Sequence, residues 1–172
     1  VAMEKHAESL KDVVLRPIGI IRSPLKKKEE VPIQPVYAQG IKGSVEIFDE
    51  YTDGLRDLEG FSHIYLFYHF HEARDVRLVV RPFLDDVPRG VFATRAPCRP
   101  NPIGLSLVRL NRIEGNILFI EDVDVLNGTP LLDIKPYISR FDSRENVRSG
   151  WQENVDEETA KLRGRRNFHE TI

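Results

Sequence analysis

Short apolar runs, each stopped by glycine, proline or asparagine, follow one another along most of the chain, and long helical periodicity is nearly absent before the tail. VVLRPIGIIR (13–22) opens the body, and SVEIF (44–48) follows a loop containing Pro32 and Pro35. SHIYLFYHFH (62–71) is apolar on both faces, which predicts a central strand. RLVVR (77–81) and GVFAT (90–94) read as further strands. GLSLVRLNRI and ILFIEDVDVL then flank Glu114, Gly115 and Asn116, whose chemistry suits a tight hairpin turn. In YTDGLRDLEG (51–60), Tyr51, Leu55 and Leu58 recur at i, i+4 and i+7 before Gly60, predicting one short helix. DEETAKLRGRRNF (156–168) predicts a second: Asp156 stands at the N-cap, acids fill the first turn and bases the last. The whole pattern is that of an all-β barrel or sandwich with short peripheral helices.

Length makes this one domain, since 172 residues suffice to bury a real core. We expect a disordered N-terminal end (1–12), a β-rich body (13–142) and a tail with a short basic helix (143–172). No stretch is apolar enough to predict a membrane span, the polar start is unlike a signal peptide, and Cys98 alone cannot build a disulfide framework, so the expected compartment is the cytoplasm. A net charge of −2 removes any global attraction to nucleic acid. Such binding must be local, at clusters such as Lys26–Lys28, Arg95 with Arg99, Arg109 with Arg112, or the tail bases Lys161, Arg163, Arg165 and Arg166.

Candidate chemistry changes the picture in two segments. No dinucleotide fingerprint, phosphate loop or nucleophile elbow is present, so a nucleotide-like ligand would have to be held another way. His63, His69 and His71 alternate onto one strand face, but without a carboxylate or cysteine partner they read as core or pocket histidines, and no metal is expected. Cys98 reads as a small hydrophobe, because no base is tied to it by pattern. In DVDVLNGTPLLDIKPY (122–137), Asn127-Gly128 signals a turn, after which Asp133, Lys135 and Tyr137 share a face with Leu131, opposite Leu132 and Ile134. That face is either a salt-bridged exterior or a polar pocket wall. In FATRAPCRPNPIGLS (92–106), Pro97, Pro100 and Pro102 stiffen the backbone around Arg95, Arg99 and Asn101. Either it is a rigid connector, or its guanidinium forks and amide are held for a carboxylate, phosphate or base edge.

These two segments closely resemble the paired signatures of the S-adenosylmethionine-dependent tRNA methyltransferases that methylate N6 of threonylcarbamoyladenosine beside the anticodon. RPIGIIRSPLKKKEEVPIQP resembles the family's first strand and loop, and FSHIYLFYHFHE its central strand, so the likeness runs over residues 16–140. The resemblance implies a small antiparallel β-barrel, a homodimer, S-adenosylmethionine as cofactor and tRNA as partner. It carries cofactor contacts onto Pro32, Ile33, Gln34, His71, Glu72, Arg95, Leu105, Asp124, Val125, Leu126 and Asn127. Ile33 stands where the family usually has arginine, and Asn127 where aspartate is common. Asp133, Glu72 and Tyr137 are candidate proton acceptors, with Lys135 either lowering the phenol's pKa or stabilising negative charge on the substrate carbonyl; Asp133, Lys135 and Tyr137 form the catalytic set. Arg99 and Asn101 are the expected substrate contacts, and Arg95, Arg99 or Lys135 is the expected cationic partner of the threonyl carboxylate. Two other functions stay open at this point: a non-catalytic RNA- or nucleotide-binding barrel, and a small-molecule N-methyltransferase on the same scaffold.

Overall fold

The computed structural model describes residues 13–164. Its strands are β1 (Gly19–Arg22), β2 (Lys42–Ile47), β3 (His63–His69), β4 (Val79–Val80), β5 (Arg89–Gly90), β6 (Ile103–Glu114), β7 (Ile117–Glu121) and β8 (Thr129–Pro136). Six of these close a barrel in the order β1-β2-β7-β6-β3-β8, every adjacent pair antiparallel, while β4 and β5 form a separate ribbon. Closure leaves the barrel strands without an unpaired edge. Alternation decides which side chains enter: β3 sends Ile64, Leu66 and Tyr68 inward, and β6 sends Gly104, Ser106, Val108 and Leu110. They meet Ile21, Val45, Leu118, Ile120 and Leu131 in one core. Each large aliphatic residue buried there contributes roughly 1.5–3 kcal/mol.

The hairpin joining β6 to β7 turns at Gly115, whose φ of +61° favours glycine, and Asn116 donates from Nδ2 to the Ile47 carbonyl at 2.8 Å. β3 lies between β6 and β8, but closure gives every barrel strand two neighbours, so the expected central strand has no special place. The sequence pattern misleads in four places. Val13, Val14 and Leu15 do not join β1; they are exposed ahead of Pro17. GVFAT is not a strand beyond Gly90, because Val91–Ala93 coil into a 3₁₀ turn that the Thr94 hydroxyl closes on the Val91 carbonyl at 2.9 Å. The segment 51–60 holds no α-helix: two 3₁₀ stretches, Asp49–Leu55 and Leu58–Gly60, are separated at Asp57, where φ is +67°. They still bury Leu55 and Leu58.

The fourth difference bears on chemistry. A register shift between Phe67 and Tyr68 marks a bulge in β8 at Leu132. Leu131 therefore faces the core while Asp133 and Lys135, paired with Phe67 and Tyr65, face outward, so Leu131 does not share their face as strict alternation implied. Beyond β8 run the short helix α1 (Ser139–Asp142), a 3₁₀ turn (Gly150–Asn154) and α2 (Glu157–Arg163). Asp156 caps α2, accepting the Thr159 N–H at 2.7 Å. The expectations for residues 1–12 and for the helix end with Arg165 and Arg166 lie outside the described residues.

Candidate functional site

Loop 92–102 forms one wall of a cavity at the barrel end where β3 stops and β6 starts. The loop is rigid for reasons beyond its prolines. Arg99 donates from Nη1 to the carbonyls of Thr94 at 3.1 Å and Ala96 at 3.3 Å, and the Ala96 N–H meets the Thr94 hydroxyl at 3.2 Å. Backbone bonds from Arg99 to Pro97 at 2.9 Å and from Ile103 to Asn101 at 2.7 Å close two three-residue turns. The second is centred on Pro102, whose fixed φ suits it. The opposite wall comes from the loop after β1, where Gln34 accepts a hydrogen bond from Arg95 through Oε1 and donates from Nε2 to the Ile33 carbonyl at 2.6 Å.

The floor was not foreseen. Ser106, only 1% exposed, lies 3.0 Å from the Tyr68 hydroxyl and donates to Asp124 Oδ1 at 2.5 Å. A carboxylate only accepts, so the serine proton goes to Asp124 and the tyrosine proton to Ser106. The chain of donors runs inward to a carboxylate that is 5% exposed yet lines the cavity. Gly104 makes it possible: a Cβ there would stand 2.1 Å from the Tyr68 ring. The signal was present in GLS, a polar residue on the core-facing alternation of a strand, but it reads as chemistry only once Asp124 lies opposite.

The cavity holds about 360 Å³ and gathers Pro32, Ile33, Gln34, Arg95, Leu105 and Asp124 with Arg99 and Asn101. Tyr68, Phe70, Thr94 and Pro97, which the sequence did not assign, also line it, together with Val31, Ile103 and Gly104. Other expected contacts lie around it rather than in it. His71 and Glu72 are exposed beyond the end of β3, and Glu72 is held by Lys28, whose Nζ lies 3.2 Å from its Oε2 and donates to its carbonyl at 2.8 Å. Val125 is buried in the core, and its carbonyl accepts the Ser23 hydroxyl at 2.6 Å. The Leu126 carbonyl accepts the Thr129 hydroxyl at 2.7 Å. Asn127 Oδ1 accepts the Ser23 N–H at 3.1 Å, so the amide keeps an acceptor role that an aspartate could fill.

Asp133, Lys135 and Tyr137 share the outer face and do not line this cavity. Asp133 pairs with Phe67, which pairs with Leu105 at the cavity, so Asp133 stands two strand spacings away, roughly 10 Å. Lys135 Nζ lies 2.9 Å from Asp133 Oδ2, and Tyr137 packs against Tyr65 with ring centroids 5.9 Å apart. Burial, then the neighbouring Asp142 and Tyr137, pushes the Tyr65 phenol above its usual value, so it remains a neutral donor at pH 7. His63 is turned to the same face, within 2.9 Å of the Ser62 hydroxyl through Nδ1; His71 lies past the strand. Among the described residues no three His, Cys, Asp or Glu side chains cluster as metal ligands, and no helix is long and apolar enough to cross a membrane. The basic pair is compensated: Arg112 lies 2.6 Å from Glu114 and stacks 3.6 Å from the Phe119 ring, and Arg109 lies 4.0 Å from Asp122. A larger depression of about 570 Å³ opens at the other barrel end among Ile18, Tyr51, Leu58 and Pro136, and Asp133 lines it along with Glu50, Arg56 and Asp57.

Fold and cavity together define a small antiparallel β-barrel with a nucleoside-sized site at one end, its floor a buried carboxylate and its rim two arginines. Residues 20–143 match the model of the tRNA-methyltransferase O N-terminal domain, and the chain belongs to that family. A Pyrococcus abyssi protein described as a probable S-adenosyl-L-methionine-binding protein is 60% identical over 141 residues, covering 82% of this chain and 77% of its own. The human tRNA (adenine(37)-N6)-methyltransferase is 35% identical over 150 residues, covering 83% of this chain and 34% of its own. A crystal structure of TrmO from Pseudomonas aeruginosa superposes with a TM-score of 0.68 at 38% identity, over 81% of this chain and 62% of that one. This chain thus spans about a third of the human relative and less than two thirds of the bacterial structure.

Proposed function

We propose that this protein is an S-adenosylmethionine-dependent tRNA methyltransferase acting on adenine N6 in threonylcarbamoyladenosine beside the anticodon, as a cytoplasmic homodimer. The observation that carries the reading is the convergence of Pro32–Gln34, Arg95, Leu105 and Asp124 with Arg99 and Asn101 in one cavity of a chain belonging to the tRNA-methyltransferase O family. The residues fit the cofactor's chemistry. Arg95 offers a fork to its carboxylate, Asp124 a buried acceptor to ammonium or ribose hydroxyls, and Phe70 and Pro97 flat apolar surface to a purine. When bound, S-adenosylmethionine supplies an electrophilic methyl group on a sulfonium, open to in-line displacement.

The protein's part is alignment and proton management. A loop held by its own arginine and prolines loses little entropy on binding, so reacting groups are placed without a large ordering cost. Arg99, also at the cavity, receives the threonyl carboxylate through donors other than the Nη1 hydrogens it gives to the loop. The acceptor nitrogen must shed a proton, and its lone pair is delocalised into purine and carbamoyl groups. Asp133 takes that proton while Lys135, already 2.9 Å from it, offsets charge on the carbamoyl oxygen. Because Asp133 lies outside the cavity of its own chain, a second copy supplies it. The outer face around it, with half-buried Tyr65, Phe67 and Leu107 and with Ile103 at 39% exposure, is the apolar surface a two-fold pair would cover.

Incubating the protein with labelled S-adenosylmethionine and tRNA, with and without threonylcarbamoyl groups, tests this by mass spectrometry of the nucleosides. Label is expected on threonylcarbamoyladenosine alone. Equal labelling of unmodified tRNA would remove the role given to Arg99, and no labelling of either RNA would leave only a binding barrel.

A further inference from the structure

The tail crosses both walls of the cavity. At its far end, the Gly164 carbonyl accepts the Ile33 N–H at 2.9 Å, beside the Gln34 that meets Arg95. Gly164 is buried, and a Cβ there would stand 2.6 Å from both the Ala160 carbonyl oxygen and the Tyr37 ring, so this close approach requires a residue without a side chain. Nearer β8, the Trp151 indole donates from Nε1 to the Ala93 carbonyl at 2.8 Å, next to Thr94, on which loop 92–102 is built. The Arg89 guanidinium lies 5.7 Å over the same indole, and Arg163 reaches Asp86 at 3.1 Å. One segment therefore holds the first wall at Ile33, the second at Ala93, and the ribbon behind the second.

We propose that residues 150–164 form a strap that pre-organises the two walls of the cofactor cavity, with Trp151 and Gly164 as positioning residues for S-adenosylmethionine. This rests on the reading of the cavity given above. Neither residue lines the cavity: Gly164 fixes the backbone of Ile33, which does, and Trp151 fixes that of Ala93, one position before Thr94, which does. A ligand closing around untethered loops would have to order them first, and that cost would appear as weaker binding.

The test uses the full chain with Trp151→Phe, which keeps an aromatic ring but loses the donor, and Gly164→Ala, whose Cβ must displace Tyr37 or the Ala160 carbonyl. Calorimetry gives the Kd for S-adenosylmethionine, and kinetics give separate KM values for cofactor and tRNA. Each variant is expected to raise the cofactor Kd and KM about three- to tenfold, the scale of one hydrogen bond, with tRNA KM and kcat at saturating cofactor nearly unchanged; Tm stays near wild type in Trp151→Phe and falls in Gly164→Ala, whose added Cβ meets backbone. Wild-type affinity in both variants overturns the strap alone. A parallel loss of cofactor affinity, tRNA KM, kcat and Tm also overturns it, since that is the signature of general destabilisation. A wild-type chain that binds no S-adenosylmethionine overturns the reading of the cavity, and the strap with it.

Discussion

A serine hydroxyl at 1% exposure, lying between a phenol and a carboxylate, has its partners dictated by what each can donate. Ser106 gives its only proton to Asp124, which orients that carboxylate at the cavity floor, and Tyr68 supplies the bond that keeps the serine oxygen satisfied. Ser106→Ala should therefore cost about 1 kcal/mol or more of stability, the scale of a lost buried hydrogen bond, and should weaken S-adenosylmethionine binding several-fold. Urea unfolding and calorimetry measure the two effects; unchanged cofactor affinity would reduce the floor to packing. Arg99 carries a comparable lesson. Its residue type and its proline neighbours were legible as a rigid basic loop, but the carbonyls that Nη1 binds were not, because they depend on how residues 94–97 turn.

Elements follow their local patterns until packing overrides them. The alternation in β3 and β6 was plain in sequence, as was the turn at Gly115. The bulge in β8 was not, since Leu131, Leu132 and Asp133 carry no mark of which residue is extra; register with β3 selects it. The helix expected at 51–60 breaks into 3₁₀ pieces that still bury Leu55 and Leu58, so the periodicity reported burial rather than helix type. In α2 the cap was legible, and it makes a pH prediction. Hydrogen bonds from the Thr159 N–H and hydroxyl hold the Asp156 carboxyl below its usual value. A depressed folded-state pKa means that the stabilisation is complete above the ordinary carboxylate range, about pH 4, and is lost as pH falls below it through the folded value. Exchange of the Thr159 amide, corrected for its intrinsic rate, should lose protection in that acid window. Asp156→Asn, a cap that does not titrate, should abolish the dependence; persistence in that variant would assign it to another group.

For the whole molecule, the barrel divides the proposed chemistry between two surfaces that one chain does not bring together. Arg95 and Asp124 line the cavity, while Asp133 stands on the outer wall roughly 10 Å from its edge and Lys135 beside it. Complementation tests the proposed homodimer. Arg95→Ala and Asp133→Ala chains should each be inactive alone, and refolding them together should restore about a quarter of wild-type activity, because half of the dimers are mixed and each mixed dimer keeps one intact site. No recovery, in a mixture that light scattering shows to be dimeric, would put both residues to work in the same chain.

Much of the site was already determined by sequence. Proline and arginine spacing in FATRAPCRPNPIGLS specifies a stiff basic loop, and strand alternation specifies which residues point inward, because both are consequences of bonds between near neighbours. Tertiary structure alone decided what stands across from that loop. Gln34 meeting Arg95, Asp124 meeting Ser106, the bulge that turns Asp133 outward and Gly164 reaching Ile33 each join residues distant in the chain or paired across strands. Their contacts follow from barrel closure and strand register, which no local pattern encodes.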